Sequence, residues 1–220
     1  MVVFFCPRSS VMQLVFLGPP GAGKGTIAAK AKEYYSIPHI STGDLFRSAI
    51  ATETELGKQV KAILAAGDLV PDSITIAMVK ERLAKDDAKK GFILDGFPRT
   101  VAQAEALEKM SKLDAVVNFV LDEDIVVRRL SGRRMCKSTG RIYHIETLPP
   151  KVEGIDDETG EPLIQRPDDM PEAITNRLKV YEKSTEPLIG FYRAKGLLRD
   201  IDASTTPDEV MASMVRALRK

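Results

Sequence analysis

Residues 13–26, Q-L-V-F-L-G-P-P-G-A-G-K-G-T, join an apolar β-rich run to a helical pattern through a glycine-rich turn that carries a lysine. No other stretch constrains the fold as much. Residues 18–24 fit G-x-x-x-x-G-K, and the position between strand and helix is the context that makes this a specific phosphate loop. Glycines let the backbone wrap a phosphate, the loop N–H groups and the helix N-terminus supply fixed positive potential, and Lys24 reaches the outer phosphates. An ordinary glycine-rich βα turn would need no lysine there. One departure stands out: Gly25 occupies the place where serine or threonine usually follows, and the hydroxyl arrives one residue late at Thr26. In nucleotide hydrolases and switches that first hydroxyl holds magnesium directly, so its absence bears on the kind of phosphate chemistry.

The rest of the chain repeats the strand-then-helix grammar. Strands are expected at 12–17, 38–41, 92–95, 114–121 and 197–201. Helices are expected at 24–35, 43–51, 55–66, 72–88, 101–111, 123–131, 171–184, 186–195 and 207–219. Such alternation means βαβ units on a parallel sheet, hence an α/β fold. Asp72 and Asp122 are read as N-caps, T-P-D-E at 206–209 as a capping box, and Gly196 as a helix terminator. Residues 132–169 differ, with turn formers and short β-prone pieces such as R-I-Y-H-I but no helical period. They read as a small β-rich lobe inserted in the main domain, since an unstructured loop this long would be suspect.

With 220 residues, 44% of them hydrophobic, the chain is long enough for one sizeable core. Its net charge of +1 argues against a basic nucleic-acid surface or a polybasic membrane patch, so any anionic ligand must be met by local clusters. Cys6 and Cys136 make no disulfide framework and suit a reducing compartment. With no secretion signal and no run of ~18 apolar residues, a cytoplasmic protein is expected. Residues 1–11 read as a disordered tail before the first convincing strand.

Two further stretches fall just past strand ends, where ligands bind in open α/β sheets: S-T-G-D-L-F-R at 41–47 and L-D-G-F-P-R-T at 94–100. Together with G-P-P-G-A-G-K-G-T, with Gln103 after D-G-F-P-R-T, and with a G-R-R opening a long lobe that ends R-P-D-D, they make the chain resemble the adenylate kinase family. The resemblance runs from about residue 12 to the C-terminus, and the 132–169 lobe is similar to the long-lid form. It implies a P-loop kinase core over 12–220: a parallel five-stranded sheet of order 2-3-1-4-5 flanked by helices, with a helical monophosphate-binding lobe at 41–70 and a β-rich lid at 132–169 inserted. The implied reaction is reversible, magnesium-dependent phosphoryl transfer from ATP to AMP, giving ADP twice. Magnesium is then held by the nucleotide phosphates and water, with Asp44 and Asp95 in its outer shell, which accounts for Gly25.

Transfer between two nucleotides gathers many negative charges, so catalysis rests on positioning and on spreading that charge. The accepting phosphate, with a second pKa of ~6, is already largely deprotonated near neutrality and needs no general base. His39 is accordingly read as a strand residue and His144 as a lid residue. By resemblance, Gly21, Ala22, Gly23, Lys24, Gly25 and Thr26 bind the ATP phosphates, while Ile142, Tyr143 and the backbone near Thr205 meet its adenine and ribose. Arg47 and Arg99 clamp the AMP phosphate. Arg129, Arg133, Arg166 and Arg177 match the arginines that converge on the transferring group, the last two also on the AMP side, and a guanidinium fork suits that task better than lysine. Arg134 is read instead as an ordinary solvated arginine. Thr42, Asp68, Leu69, Val70, Gly96, Phe97 and Pro98 complete the AMP pocket, and Gln103 reads the adenine edge.

Some of these positions carry a second, local reading. Thr100 and Gln103 together form a capping-box pattern. Asp44 suits the first turn of a helix, and of Asp168 and Asp169, implied to orient lid arginines, the latter also suits an N-cap before Pro171. Some family members hold a structural zinc in the lid, and the corresponding places here are Cys136, Thr139, Asp156 and Thr159. That is a poor donor set, so no zinc is expected; a hydrogen-bonded cluster is, with Asp156 accepting from Thr139, Thr159 or a backbone N–H. The expected partners are ATP, AMP and ADP, with no nucleic acid, no membrane, and a monomeric enzyme. A uridylate/cytidylate kinase shares the phosphate loop, but Thr42 and the long lobe count against it. A GTP-binding switch would carry N-K-x-D after a strand, and S-K-L-D at 111–114 precedes one.

Overall fold

The computed structural model describes residues 12–219; the 1–11 tail read from the sequence lies outside them. In chain order the elements are β1 (Met12–Leu17), α1 (Lys24–Tyr35), β2 (His39–Ser41), α2 (Thr42–Ala51), α3 (Glu55–Ala66), α4 (Asp72–Leu83), β3 (Gly91–Asp95), α5 (Val101–Met110), β4 (Ala115–Val120) and α6 (Glu123–Ser131). There follow β5 (Arg133–Cys136), β6 (Ile142–His144), β7 (Leu163–Ile164), α7 (Pro171–Val180), α8 (Pro187–Ala194), β8 (Leu198–Asp202) and α9 (Pro207–Leu218).

Successive side chains of a strand point to opposite faces, and β1 shows what that does here. Leu14 and Phe16 pack under α1 and α9 with Ile27, Ala31, Phe119 and Met214. Val15 and Leu17 pack on the other face with Val79 of α4, Leu107 of α5, and Leu188 and Tyr192 of α8. Buried on both faces, β1 pairs in parallel with β3 on one side and β4 on the other. The sheet order is β2-β3-β1-β4-β8, the 2-3-1-4-5 order with β8 as the fifth core strand.

Two segments stand apart from that core. Helices α2 and α3 gather their own apolar cluster around Phe46, Val60 and Val70. The stretch read as a β-rich insertion forms an antiparallel sheet of order β6-β5-β7. No helix among the described residues is long and apolar enough to cross a membrane.

Several local expectations are corrected. The helix expected over 72–88 stops at Leu83, and a short 3-10 turn at Asp86–Lys90 follows. There Arg82 holds the Asp87 carboxylate through both guanidinium nitrogens, at 2.8 and 2.7 Å, a tertiary-like contact that a continued helix would pull apart. The helix expected over 171–184 leaves α geometry at Tyr181, because Pro187 has no N–H to return to the preceding turn. The chain absorbs this as a π turn over Tyr181–Thr185, closed by the Glu186 N–H on the Tyr181 carbonyl at 2.9 Å.

Asp72 is not the N-cap of α4. Pro71 takes that position, and the Asp72 carboxylate serves two side chains of another helix. Asp122 does occupy the N-cap of α6, without a side-chain cap bond. Asp169 does not cap α7, where Met170 is the N-cap, because its carboxylate is committed to two arginines. The capping box at Thr206 and Glu209 is present in full.

Candidate active site

Beyond Leu17 the chain turns over the carboxyl edge of the sheet. Gly18 has φ of 134°, and a Cβ there would lie 2.6 Å from the Phe119 carbonyl oxygen, so only glycine fits. The first turn of α1 has no acidic residue and no side-chain cap, which leaves its N–H groups and the positive end of its dipole facing the loop. Lys24 Nζ donates to the carbonyls of Gly18 and Pro19, each at 2.7 Å. Burial pulls its pKa down to about 8, an effect Asp95 offsets in part and Arg99, Arg177 and Arg133 reinforce.

The end of β3 brings Asp95 to the same place. A Cβ on residue 25 would lie 3.9 Å from Asp95 Oδ2, so the missing side chain of Gly25 leaves that carboxylate beside the loop. Burial alone would raise the Asp95 pKa, but neighbouring His39 and Lys24 outweigh it and hold the carboxyl below its ordinary value. His39 Nε2 is 3.5 Å from Asp95 Oδ2. His144 is a lid residue: its Nδ1 accepts from the N–H groups of Glu146 and Thr147 at 3.1 and 3.2 Å, leaving the Nε2 proton to face the Arg128 carbonyl at 3.3 Å.

The β2–α2 junction and the loop after β3 form the second half of the cleft. Thr42 is buried and donates its hydroxyl to the Gly96 carbonyl at 2.9 Å, which also receives Arg99 Nε at 2.9 Å. Arg47 pairs with Asp44, and the Asp44 N–H is taken by Ser41 at the N-cap. Asp44 therefore sits in the first helical turn and also holds an arginine. The Asp68, Leu69 and Val70 segment lies at the end of α3, tied to α7 by Asn176 Nδ2, which donates to the Ala66 carbonyl at 2.9 Å and to Asp68 Oδ1 at 2.6 Å. Gly67, with φ of 82°, lets this turn press against α7: a Cβ there would lie 2.6 Å from Arg177 Cγ.

The arginines meet around fully buried Asp169. It accepts from Arg133 Nε at 2.7 Å and from Arg177 Nη1 at 3.1 Å, and Arg177 also pairs with Asp168 at 2.9 Å. Burial lowers Arg99 and Arg177; Arg177 lowers Arg99 further, and Arg133 and Arg47 lower Arg177. Burial brings Arg166 to about 10, helped by Arg47 and Arg133, while its Nε meets Met135 Sδ, at 3.1 Å. Lys24, Arg47, Arg99, Arg133, Arg166 and Arg177 thus act on one another across one cleft, with Asp95, Asp168 and Asp169 as the interspersed acids. The cations outnumber the acids, and such a cleft attracts a polyanion.

Four expected residues do not join this group, one of them Ile142, half-buried on β6. Arg129 is half-buried on α6, and burial alone lowers its pKa; no hydrogen bond or ion pair engages it among the described residues. Thr205 is exposed in the loop before α9. Tyr143 turns into the lid, donating to Asp156 Oδ1 and accepting from the Asp157 N–H, both at 3.0 Å. Arg134, read from the sequence as solvated, is half-buried and donates to the backbone carbonyls of Ser131 and Arg133. The S-K-L-D stretch is structural, with Asp114 Oδ2 accepting from the Gln13 N–H of β1 at 2.7 Å.

A model of the adenylate kinase family matches residues 16–197. The adenylate kinase of Treponema denticola is 57% identical over 202 residues, covering 92% of this chain and 97% of that protein. That of Shouchella clausii is 53% identical, covering 92% and 96%, and that of Staphylococcus aureus strain N315 is 51% identical, covering 94% and 99%. The chain belongs to the adenylate kinase family. It is a nucleoside monophosphate phosphotransferase, and the reaction is ATP with AMP giving ADP twice, in either direction.

Adenylate kinase chemistry uses magnesium with ATP. The donors here fit a metal that arrives on the nucleotide. Among the described residues no group of three or more His, Cys, Asp or Glu side chains is placed to hold a metal ion, and residue 25 offers no hydroxyl. Asp95, half-buried beside the phosphate loop, is a carboxylate chemically suited to the waters of such an ion. In the lid, Cys136 Sγ lies 3.4 Å from Ser138 Oγ and 3.7 Å from Thr159 Oγ1. Asp156 accepts from the Thr159 hydroxyl at 2.9 Å and backbone N–H at 2.8 Å, whereas Thr139 instead accepts from the Arg141 N–H.

Sequence reasoning passed over three residues of this adenylate kinase cleft. Asp72 was assigned to a cap, Asn176 is a polar residue within a helix and carries no motif, and Thr185 donates its hydroxyl to the Arg99 carbonyl at 3.0 Å from the π turn. A motif search has no signal for the last two, because each acts through a backbone group far away in sequence.

Proposed function

We propose that ATP seats its phosphates on Gly21, Ala22, Gly23, Lys24, Gly25 and Thr26, and that AMP sits opposite, its phosphate between Arg47 and Arg99 and its base against Thr42, Asp68, Leu69, Val70 and Gln103. Gly96, Phe97 and Pro98 form the floor beneath it. The γ-phosphoryl group passes directly from one nucleotide to the other. Lys24, Arg133, Arg166 and Arg177 spread the charge that develops on its oxygens, and no side chain forms a covalent bond. Lys24 leaves the Gly18 and Pro19 carbonyls for phosphate oxygens, which restores the proton affinity that burial removed. Asp95 foremost, with Asp44, would hold the waters of magnesium, which would supply charge neutralisation on the phosphates when bound.

The segments 41–70 and 132–169 act as two lobes that close over the nucleotides and exclude water, which would otherwise intercept the γ-phosphoryl group. Arg129 joins the site only on that closure, as do Ile142, Tyr143 and Thr205 on the ATP base and ribose. The enzyme acts as a monomer in the cytoplasm, with no nucleic-acid or membrane partner. Lid rigidity comes from the Asp156 cluster rather than from zinc.

The observation that carries this reading is the gathering of six cations, Lys24, Arg47, Arg99, Arg133, Arg166 and Arg177, between the phosphate loop, the D-G-F-P-R loop and the base of the lid. The test is ADP formation from ATP with AMP, UMP, CMP or GMP as acceptor. AMP should be used far better than the others, and Lys24→Ala should lower kcat by about 10²–10³ or more with a native circular-dichroism spectrum. Near-normal kcat in a folded Lys24→Ala protein would overturn the role of the loop lysine.

A further inference from the structure

Gln103 is 2% exposed, and its amide makes two bonds whose direction chemistry dictates. Its Oε1 accepts from the backbone N–H of Arg99 at 2.7 Å, and its Nε2 donates to Asp72 Oδ1 at 2.7 Å. A backbone N–H offers no lone pair and a carboxylate no proton, so the amide cannot turn over without breaking both bonds. The other oxygen of Asp72 accepts from the Thr100 hydroxyl at 2.9 Å, and that hydroxyl oxygen accepts the Gln103 N–H at 3.2 Å. The capping-box pattern is therefore only half realised. Gln103 reaches back to Arg99 instead of Thr100, and Asp72, in the first turn of α4, braces both ends of the motif.

We propose that Asp72 is a positioning residue for the base of the monophosphate. By holding Nε2 it fixes the order in which Gln103 presents its second N–H and its second Oε1 lone pair. The proposal rests on the reading of Gln103 as the residue that meets the adenine edge. That edge offers an acceptor at N1 and a donor at N6, and the amide's remaining pair of groups complements it. Guanine offers a donor at N1 and an acceptor at O6, the reverse order, so a locked amide rejects it where an amide free to turn over would not. Asp72 follows the 68–70 backbone by one proline, so the same turn that borders the base also carries the brace.

The experiment measures kcat and KM for AMP and GMP, at saturating ATP, in the full-length protein and in Asp72→Leu, Asp72→Asn, Gln103→Ala and the Asp72→Leu/Gln103→Ala double variant. Asp72→Leu should raise the AMP KM by about tenfold and erode the AMP over GMP preference to a similar extent, the expected scale for losing one hydrogen bond to a charged group. Its kcat with AMP and its KM for ATP should stay within about twofold of the parent. Asp72→Asn should recover most of the loss, since its Oδ1 still accepts from Gln103 and the Thr100 oxygen has a lone pair for the new N–H. The double variant should be no worse than Gln103→Ala alone. Should Asp72→Leu fail to fold, Asp72→Ser, too short to reach Gln103, takes its place.

Equal weakening of AMP and GMP by Asp72→Leu would show that Asp72 acts through the Arg99 backbone and would overturn the proposal, as would an Asp72→Asn protein as poor as Asp72→Leu. An unchanged base preference in Asp72→Leu, with the preference lost in Gln103→Ala, would sink the role of Asp72 alone. An unchanged preference in Gln103→Ala would sink the reading of Gln103 itself.

Discussion

The segments 41–70 and 132–169 border one cleft but are held together by different forces. In the first, Phe46, Val60 and Val70 are buried with Ile50, Leu56, Ile63 and Leu64 packed around them. In the second, the buried side chains are Cys136, Tyr143, His144, Asp156 and Asp169, and the larger aliphatic side chains Ile145, Leu148 and Val152 are exposed. Asp156 is its centre, accepting from Tyr143, Thr159 and the Glu158 N–H. Apolar burial is non-directional and indifferent to pH, whereas a polar cluster depends on every donor and on one carboxylate staying charged. Their arginines differ likewise: Arg133, where the lid begins, is held by buried Asp169, whereas Arg47 is held by mostly exposed Asp44.

The largest effect that would break this contrast concerns those arginines. Arg133→Ala should lower kcat by about 10²–10³, the loss expected for one preorganised charge-stabilising donor. Arg47→Ala should act chiefly on the AMP KM, with kcat changed much less. Steady-state kinetics with each nucleotide varied separates the two, and an equal loss of kcat in both would erase the distinction between an anchored and a clamping arginine.

Next in size is Phe46→Ala. Removing a buried phenylalanine costs about 3–5 kcal/mol, and here the loss falls within 41–70. Hydrogen exchange should show protection lost over that segment and retained over 132–169. Equal loss in both segments would mean that they share one cooperative unit.

The smallest effect at neutral pH, and the one that sharpens the contrast, is acid sensitivity of the lid. The Thr159 backbone N–H foremost, with the hydroxyls of Thr159 and Tyr143, holds the Asp156 carboxyl below its ordinary value. A carboxylate depressed in the folded state contributes stability above its unfolded pKa and loses it as pH falls through the folded value. Lid order should therefore be flat near neutrality and fail below about pH 4. Pepsin cleavage within 132–169 should rise there before cleavage within 41–70, and in Asp156→Asn, which has no carboxyl to protonate, that step in pH should disappear. Simultaneous onset in both segments would contradict the polar-core reading.

Much of this protein was legible locally. The strand, glycine turn and lysine at 12–24 imply a parallel sheet because a strand running straight into a helix needs a crossover to reach its neighbour, and the periodicity of later segments repeats the pattern. The arginines of G-R-R, D-G-F-P-R and R-P-D-D could be named because each lies in a motif beside an element end. What was not legible depended on which distant groups meet. Pro187 and the π turn put Thr185 under the Arg99 carbonyl, and nothing in the local pattern says so.

Asp72 and Asp169 make the same point from opposite ends of the cleft. Each stands at a helix start, where local propensity offers a cap, and each is drawn away by a partner that only the fold supplies: Gln103 and Thr100 for Asp72, Arg133 and Arg177 for Asp169. The physical reason is one of strength and shielding. A cap bond at an open helix end competes with water, whereas a carboxylate meeting a guanidinium or an amide away from water gains more from that partner than from the helix. Sequence thus determined which residue types line the cleft, and tertiary structure decided which of them each acid serves.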